Sequence, residues 1–369
     1  FITRYNVYYN GDEHYKYTLH EQETSYKDDL SRTLYLSPIE AKADAKAPQP
    51  SGSFQRSIDK AAKAIQIRSI KRKPKKQPGK SYDEAYKEWM RRSEYNPFLH
   101  NAWMLMGRSQ YHNGDFTGAA ATFYYISKNF KWLPDVVTEA KLWQARAYLA
   151  DDWTYEAEMI ISRIKPEQLV SKTLRRLYAF DYADLYIRTD RYAEAVPHLQ
   201  TLISLSDAHQ RMRLNYLLGQ ILTRLGRKEE AYKAFGRAGR SASADYAMQF
   251  NARIRQSEVY QGDDITPEVK ALRRMVRYDR NAEYLDQVYY AIGNLYLSRR
   301  DTTEAIANYR LAVDKSTRSG YDKALANLAL GNLYFDRHRY DLAQPCIAEA
   351  VPQLPDDFPG LDSIRLRSD

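Results

Sequence analysis

The stretch NAWMLMGRSQYHNGDFTGAAATFYYI, residues 101–126, decides the fold that we predict for this chain. It reads as two apolar-periodic helical runs, each of about a dozen residues, on either side of a His-Asn-Gly-Asp turn. Gly107 lies in the first run, and Ala119 lies twelve residues later in the second. Because both side chains are small, two antiparallel helices can approach to the lower end of the usual separation of about 8–10 Å. Trp103 and Phe123 are expected to fill the space above and below this contact.

The same arrangement of two small residues recurs along the chain. The two members of each pair are twelve residues apart, and the first members follow one another at intervals of 38, 38, 36, 74 and 38 residues. The interval of 74 residues leaves room for a degenerate copy near Ser257 and Val269, so about seven copies fit. The pairs are Gly107/Ala119, Ala145/Ala157, Ala183/Ala195, Gly219/Ala231, Gly293/Ala305 and Gly331/Ala343. This period is slightly longer than the roughly 34 residues of the shortest helix-turn-helix solenoid repeats.

The residue types in each copy resemble those of the tetratricopeptide repeat (TPR). The clearest copy consists of Tyr216, Leu218, Gly219, Gly226, Ala231, Phe235 and Ala238. The sequence therefore predicts an all-α fold, a right-handed superhelical TPR-like solenoid of antiparallel helix pairs. A chain of 369 residues can form such a fold without a single large core, because each repeat buries its apolar face against its neighbours.

Composition and turn signals divide the chain into five segments. We predict an N-terminal Tyr-rich helical hairpin over residues 1–36 that turns at Asn10-Gly11, followed by a flexible Pro/Ala-rich linker over 37–53. Helices that flank a basic loop are predicted over 54–96. About seven TPR-like repeats follow over 97–355, and an extended C-terminal tail is predicted over 356–369. The third segment has predicted helices at 54–70 and 81–93, the second of them capped by Ser81. The predicted repeat helices are 101–112 with 116–129, 137–150 with 153–164, 173–188 with 192–204, 209–224 with 228–239, 245–259 with 266–278, 285–299 with 302–315, and 321–336 with 340–353.

Bulk composition excludes several classes of protein. The single cysteine, Cys346, rules out an internal disulfide framework and a thiolate metal cluster. The sequence has no apolar run long enough to span a membrane. Tyrosine is abundant, with 32 residues, which suits both packing between repeats and contact with protein partners. The chain starts with Phe1 rather than Met, so we expect that a leader, with or without a lipid-bearing cysteine, precedes it.

The net charge of +9 resides in one block between Lys60 and Lys80, which holds nine basic residues and no acidic residue. The centre of the block contains Pro74, Pro78 and Gly79, so it is predicted to be a loop. One interpretation is a solvated loop between two helices. The other is a site for an anionic partner: phospholipid headgroups, an acidic protein or, least favoured because no aromatic residue is interleaved, nucleic acid. The residues of this candidate site are Arg68, Lys71, Arg72, Lys73, Lys75, Lys76 and Lys80.

The sequence contains no catalytic constellation that we recognise. Its seven histidines do not show metal-ligand spacing, and no phosphate-binding or nucleophile-elbow motif is present. The acidic pairs Asp151-Asp152, Asp263-Asp264 and Asp356-Asp357 fall in predicted turns, where solvent and helix amides explain them. Cys346 is interpreted as a small core residue. We therefore predict a protein without enzymatic activity and without a metal or other cofactor.

A solenoid of helix pairs offers a concave surface, which the first helix of each pair lines. Side chains about one turn from each small landmark residue are predicted to face this groove and to bind a protein partner. The candidates are Arg108, Tyr111, His112, Arg146, Asp184, Arg188, Tyr216, Gln220, Arg224, Tyr290, Asn294, Asn332 and Asp336. Asn294 and Asn332 lie in two Gly-Asn-Leu-Tyr copies. Each of these asparagines either binds a peptide backbone or pairs only with the next repeat.

Several stretches together resemble a narrower family, the periplasmic TPR lipoproteins of the type IX secretion and gliding-motility machinery (the PorW/SprE family). They are residues 5–11 (YNVYYNG), 61–65 (AAKAI), 69–71 (SIK), 94–103 (EYNPFLHNAW) and 139–143 (EAKLW). The resemblance implies a non-enzymatic periplasmic scaffold, associated with the outer membrane, that bridges the periplasmic ring of the secretion system and its outer-membrane translocon. The lipid-bearing cysteine of that family is absent from this chain. The alternative hypothesis is a cytoplasmic TPR module that binds peptide or nucleic acid through the groove and the basic loop.

Overall fold

The computed structural model describes residues 7–80, 82–317, 320–355 and 358–368, and every regular element in these ranges is helical. The chain forms two compact units, residues 1–225 and 226–369. The helices of the first unit are α1 Tyr9–Ser25, α2 Gln55–Arg68, α3 Glu84–Met90, α4 Leu99–Asn113, α5 Phe116–Asn129, α6 Pro134–Ala150, α7 Thr154–Ile161, α8 Lys172–Arg188, α9 Tyr192–Leu205 and α10 Ala208–Arg224. Those of the second unit are α11 Lys228–Gly239, α12 Tyr246–Glu258, α13 Thr266–Val276, α14 Leu285–Ser298, α15 Thr302–Lys315, α16 Tyr321–Asp336, α17 Tyr340–Ala350 and α18 Leu361–Ser368. Short 3₁₀ helices occupy Pro38–Ala43, Pro166–Gln168, Asp279–Tyr284 and Val351–Gln353.

Consecutive helices pack in pairs, as the repeat pattern predicts. In the first unit α4 packs on α5, α6 on α7 and α8 on α9, and each pair also contacts the next. In the second unit α14 packs on α15 and α16 on α17, while α13 packs on α14. The predicted all-α solenoid of antiparallel helix pairs is confirmed, and the repeat helices begin and end within a few residues of their predicted positions.

Glycine at the landmark positions permits the close approach of the two helices in a pair. A β-carbon at Gly107 would lie 2.7 Å from Cε1 of Phe123, and one at Gly293 would lie 2.5 Å from Cε1 of Tyr309. At Gly331 a β-carbon would lie 3.2 Å from the carbonyl oxygen of Ala343. These helices therefore cross at the residues that the sequence identified. Gly219 belongs to the first unit and Ala231 to the second.

The turns between α4 and α5, α6 and α7, α8 and α9, α14 and α15, and α16 and α17 each contain one residue in the left-handed backbone region. Glycine takes this position at Gly114, with φ of 89°. Elsewhere the residue has a side chain, as at Arg300 and His338, with φ of 61° and 58°. The conformation reverses the chain within a few residues, so that the second helix can run back along the first. A side chain there costs about 1–2 kcal/mol relative to glycine.

The N-terminal 54 residues differ from the prediction. Asn10 and Gly11 lie inside α1 and not in a turn, because Gly11 packs closely, with its β-position 3.0 Å from Cβ of Lys60 on α2. The longer second helix of the predicted hairpin, expected from Asp12 to about Thr33, is present as part of α1 but ends at Ser25. The predicted flexible linker instead contains the 3₁₀ helix Pro38–Ala43, in which Ile39 is fully buried.

Two further segments also differ. The helix predicted at 81–93 is α3, and Asp83, whose carboxylate accepts from the amides of Ala85 and Tyr86, caps it. Ser81, the predicted cap, lies outside the described residues. The C-terminal tail is helical at α18, because Leu361 is buried in an apolar cluster with Ala324, Leu328, Ala350 and Leu354. Burial of one apolar side chain against α16 and α17 stabilises a helix that composition alone does not favour.

Candidate interaction surfaces

Residues 26–43 of the N-terminal segment, which we call the strap, lie against the first helices of the pairs in the first unit. The strap follows α1 and contacts α10 and then α8 through the bonds described below. It finally reaches the end of α4, where the Lys42 ammonium donates to the carbonyl oxygen of Asn113 (3.0 Å). Leu34, Leu36 and Ile39 of the strap are buried. The predicted groove of the first unit therefore holds a segment of the chain itself.

Helix α10 binds the backbone of the strap. The Tyr216 hydroxyl donates to the carbonyl oxygen of Leu30 (3.0 Å). The carboxamide of Gln220 accepts from the amide of Leu34 (3.0 Å) and donates to the carbonyl oxygen of Arg32 (2.7 Å). A single side chain thus pairs with both a donor and an acceptor of a non-helical backbone, which allows a groove to bind a peptide without reading its side chains.

Arg213 is the main ionic anchor of the strap. Its guanidinium binds both carboxylate oxygens of Asp28 at 2.6 Å and donates to the carbonyl oxygens of Tyr35 (3.2 Å) and Leu36 (3.3 Å). The arginine is 5% exposed. This buried guanidinium thus uses four of its five N–H donors on the strap. Arg224, one of the predicted groove residues, adds a bond to the Thr33 hydroxyl (2.7 Å).

Glu40 brings a carboxylate of the strap into the centre of the first unit. It is 2% exposed, and one of its oxygens lies 3.5 Å from the guanidinium of Arg188. Arg188 also binds Asp184 (2.9 Å) and Asp152 (2.5 Å). Burial raises the pKa of Glu40 to about 8, and the nearby Asp184 carboxylate raises it further while Arg188 opposes the change. The other oxygens of Glu40 and Asp184 have no hydrogen-bond partner among the described residues.

The predicted groove residues of α4 and α6 are part of the same buried region. Arg146 forms a buried ion pair with Asp181 (2.9 Å), and burial raises the pKa of Asp181 to about 7. His112 packs against the rings of Tyr15 and Phe54. Burial lowers the pKa of His112 to about 3, so the imidazole is neutral. His112 thus packs α4 against Tyr15 of α1, and Arg146 links α6 to α8 through Asp181.

Tyr111 and Arg108 complete the predicted set on α4. Tyr111 is 1% exposed in the aromatic core between Phe116 and Trp143. Arg108 is half-buried, and its guanidinium lies 5.6 Å from the ring of Tyr15 on α1. Neither side chain faces open solvent. Binding of an external partner by the predicted residues of the first unit stays a prediction, because the structure places the chain's own N-terminal segment there.

A cavity of about 530 Å³ remains between α1, the strap and the first helices of the first unit. Its walls combine apolar residues with charges of both signs, and its size is typical of pockets for small molecules or short peptides. The charged residues that line it include Arg108, Lys172, Arg176, Glu23, Glu139 and Asp207. Arg146 and Arg213 also line the cavity, so five cations face three anions. Ion pairs with Asp181 and Asp28 occupy these two arginines.

The predicted groove residues of the second unit lie on α14 and α16. Asn294 accepts from the Tyr309 hydroxyl (2.6 Å), and Asn332 accepts from Arg367 of α18 (3.1 Å). Tyr290 is half-buried against Tyr309, and Asp336 is exposed. Asn294 and Asn332 each follow a landmark glycine directly, as Gln220 does in the first unit. Three carboxamides therefore share one register position in the repeat.

The basic loop is exposed along most of its length. Lys71, Arg72, Lys73, Lys75, Lys76 and Lys80 are exposed, and Arg68 at the end of α2 is half-buried. Glu94 fixes the start of the loop by accepting from the Ser69 hydroxyl (2.6 Å) and the Ile70 amide (2.8 Å). Further along, the amide of Gln77 donates to the Tyr86 hydroxyl (2.8 Å). The loop is thus held at defined points while its cations face solvent.

The described residues offer little for metal or thiol chemistry. No three histidine, cysteine, aspartate or glutamate side chains among them are grouped so that they could hold a metal ion. Cys346 is half-buried beside Gly331 on α17. Burial raises the pKa of its thiol, which disfavours the reactive thiolate. Among the helices that the structure describes, none combines the length and the apolar character needed to cross a membrane. The acidic pair at 356–357 lies outside the described residues.

Comparison with known proteins supports the repeat fold. Two stretches, residues 180–247 and 290–358, match the tetratricopeptide repeat family. None of the curated proteins matches the chain. Among solved structures, the apo form of the quorum sensor NprR from B. thuringiensis is similar, with 12% sequence identity and a TM-score of 0.44 over 73% of this chain and 78% of that chain. The protein is thus an all-α protein with TPR-like helix pairs, a fold whose general use is binding other proteins.

Sequence reasoning did not anticipate that the strap lies against the predicted groove residues of the first unit. The strap contributes Asp28 and Glu40, two acidic residues in a segment that composition assigned to a hairpin and a linker. Each carboxylate meets an arginine that lies well over a hundred residues later, Arg213 and Arg188. The one available signal was the unusual number of cations on the first helices, which require acidic partners when buried.

Proposed function

We propose that this protein is a non-enzymatic scaffold that binds other proteins as non-helical segments. One observation carries the proposal: α10 already binds a non-helical stretch of polypeptide through its backbone. Gln220 pairs with an amide and a carbonyl of the strap, and Tyr216 pairs with another carbonyl. A helix face that recognises backbone in this way is suited to peptide segments in general.

The partner would bind the face of α14 and α16 in the second unit. Asn294 and Asn332 occupy the register position that Gln220 has in α10. Each oxygen already accepts one bond, and its second lone pair can accept from a backbone amide of the partner. Tyr290 lies one turn before Asn294, in the register of Tyr216. Asp336 is exposed at the end of α16 and would select a basic residue in the partner.

We further propose that the scaffold belongs to a type IX secretion or gliding-motility apparatus, in the periplasm and associated with the outer membrane. Its partners there would be components of the periplasmic ring and of the outer-membrane translocon. Support for this assignment comes from the sequence resemblance at residues 61–65, 69–71, 94–103 and 139–143. In this interpretation the protein spans two assemblies, which suits a chain of two compact units.

The experiment is cross-linking mass spectrometry on the intact protein, isolated from cells that contain this secretion system. The expected result is a set of cross-links from ring or translocon proteins to residues near α14 and α16. In the variant Asn294→Ala/Asn332→Ala these cross-links should be lost. The control Asn251→Ala carries the same change on α12, at a residue that donates only to the carbonyl oxygen of Ala247 on its own helix.

Two results would argue against the proposal. Recovery of the intact protein without any ring or translocon component would remove the assignment to secretion. Cross-links that persist unchanged in the double variant would remove the assignment to α14 and α16. Binding of nucleic acid in place of protein would instead support the cytoplasmic regulatory module.

A further inference from the structure

The basic loop, residues 68–80, is the most strongly charged surface of the described chain. None of its seven basic side chains forms an ion pair or a side-chain hydrogen bond within the described residues. The acidic residues nearest to it have other partners. Asp83 caps α3, and Glu94 accepts bonds from the loop backbone and the Ser69 hydroxyl. The positive charge of the loop is therefore not neutralised by the protein.

Large apolar side chains stand among these cations and face solvent. Ile67 is 53% exposed, Ile70 is 49% exposed and Tyr82 is 90% exposed. Ile67 and Ile70 lie three residues apart, and apolar side chains that are grouped on a surface mark sites of contact with a protein or a membrane. The combination of both classes of side chain on one protruding segment is characteristic of surfaces that meet the boundary between lipid headgroups and acyl chains.

We propose that the basic loop, with Ile67, Ile70 and Tyr82, is a docking surface for an anionic lipid bilayer. The lysines and arginines contact phosphate headgroups, and the isoleucines and the tyrosine enter the interfacial region. This inference does not depend on the protein partner proposed above.

Two other anionic partners fit the loop less well. An acidic protein segment would need a groove to define its path, whereas the loop protrudes between α2 and α3 and its residues 71–80 are exposed apart from the half-buried Pro74. Single-stranded nucleic acid would need aromatic side chains on which bases can stack. Residues 67–82 contain one aromatic residue, Tyr82. A bilayer requires only charge and apolar contact, and both are present.

The geometry of the loop supports docking of the whole protein. Bonds from Glu94 and from Asn96, whose carboxamide donates to the carbonyl oxygen of Arg68 (2.9 Å), hold the start of the loop to the entry of α4. The loop is thereby tied to the first helix pair and does not swing freely. A bilayer that binds the loop would orient the first unit with α2 and α3 towards the membrane.

The test is co-sedimentation of the full chain with vesicles of phosphatidylcholine, with and without phosphatidylglycerol. Binding is expected only to the anionic vesicles and should weaken as salt is added. The variant Lys71→Gln/Lys73→Gln/Lys76→Gln should bind on the order of 100-fold more weakly, since each basic residue near an anionic surface contributes roughly fivefold. The matched control Lys131→Gln/Lys233→Gln/Lys270→Gln removes the same charge from other exposed positions and should bind nearly as well as the parent chain.

A second variant separates apolar contact from charge. Ile67→Ser/Ile70→Ser keeps every cation, so it should retain binding at low salt but lose the fraction that survives at high salt. Circular dichroism should show that each variant remains folded, because all five changed loop residues are exposed.

Three outcomes would overturn the proposal. They are equal binding to neutral and anionic vesicles, equal loss of binding in the loop variant and in its matched control, and tighter binding to poly-glutamate or to an oligonucleotide than to anionic vesicles at the same salt concentration.

Discussion

Replacement of Arg213 by methionine is expected to release the strap from the first unit. The guanidinium binds both oxygens of Asp28 at 2.6 Å and two strap carbonyls at 3.2 and 3.3 Å. Methionine preserves the apolar stem but supplies no donor. Asp28, whose side chain is 11% exposed, and the two carbonyl groups would then lack these partners.

The magnitude follows from the burial of the pair. Removal of one partner from a buried ion pair costs about 3–5 kcal/mol, because the remaining charge stays unpaired. Asp28 retains some contact with water, and the strap can move outward to hydrate its carbonyls, so the lower end applies. We expect a loss of about 3 kcal/mol in the free energy of unfolding of the first unit.

Tryptophan fluorescence is the appropriate assay. All five tryptophans lie between Trp89 and Trp153, within the first unit, so a denaturant titration of the full chain reports on that unit. Arg211→Met is the matched control: it lies on the same helix, is exposed and donates one bond to the carbonyl oxygen of Ser206 (3.1 Å). This control should lose less than about 1 kcal/mol.

A double-mutant cycle separates the ion pair from general damage. Asp28→Asn and Arg213→Met should be strongly non-additive, since the second change removes an interaction that the first has already weakened. A loss in Arg213→Met no larger than that in Arg211→Met, or simple additivity with Asp28→Asn, would refute the ion-pair anchor.

Three other predictions use the same assays on the full chain. Burial raises the pKa of Glu40 from 4.5 to about 8, so between these pH values the folded state binds more protons than the unfolded state. The free energy of unfolding of the first unit should therefore fall as pH rises through this window, by at most about 1.4 kcal/mol per pH unit. Glu40→Gln should flatten this slope, and an unchanged slope in the variant would contradict the raised pKa of Glu40. Gly107→Ala should destabilise the same unit. Overpacking against Phe123 costs about 1–3 kcal/mol, whereas the higher helix propensity of alanine returns only about 1 kcal/mol. An unchanged or raised midpoint in the denaturant titration would show that α4 and α5 do not cross at Gly107. Arg300→Gly should stabilise the second unit by about 1 kcal/mol in scanning calorimetry, whereas Arg299→Gly, at φ of −101°, should bring no gain.

The helices could be predicted because their signals are local. Small residues twelve positions apart define the crossing within one pair, and a left-handed residue such as Gly114 ends the first helix of the pair. Both features lie within one repeat, where periodicity and turn chemistry act over short distances. The predicted ends of the repeat helices were therefore close to the observed ones.

The N-terminal segment could not be predicted in this way because its structure depends on distant residues. Asn10-Gly11 is a strong turn signal on its own, but Gly11 packs against α2 and Leu105 of α4, and the helix continues through it. Ile39 lies in a stretch whose composition is typical of linkers, yet it is fully buried in the apolar cluster around Phe123. Long-range packing outweighed local propensity at both positions.

The groove residues illustrate the same limit at the level of function. Gln220, one of the predicted groove residues, pairs with the backbone of the strap, and binding of a protein partner by the predicted set stays a prediction. The identity of that backbone could not be inferred, because the contact joins residues that are 186 positions apart. Carboxamides in the same register on α14 and α16 are where the proposed partner would bind.

The most direct test of the account is amide hydrogen exchange at Leu34 in the full chain. Its amide donates to Gln220 at 3.0 Å, and Leu34 is 5% exposed, so the account predicts slow exchange that Gln220→Ala accelerates. Exchange at the rate of an unfolded peptide, unaffected by Gln220→Ala, would show that the first unit does not hold its own N-terminal segment in the groove.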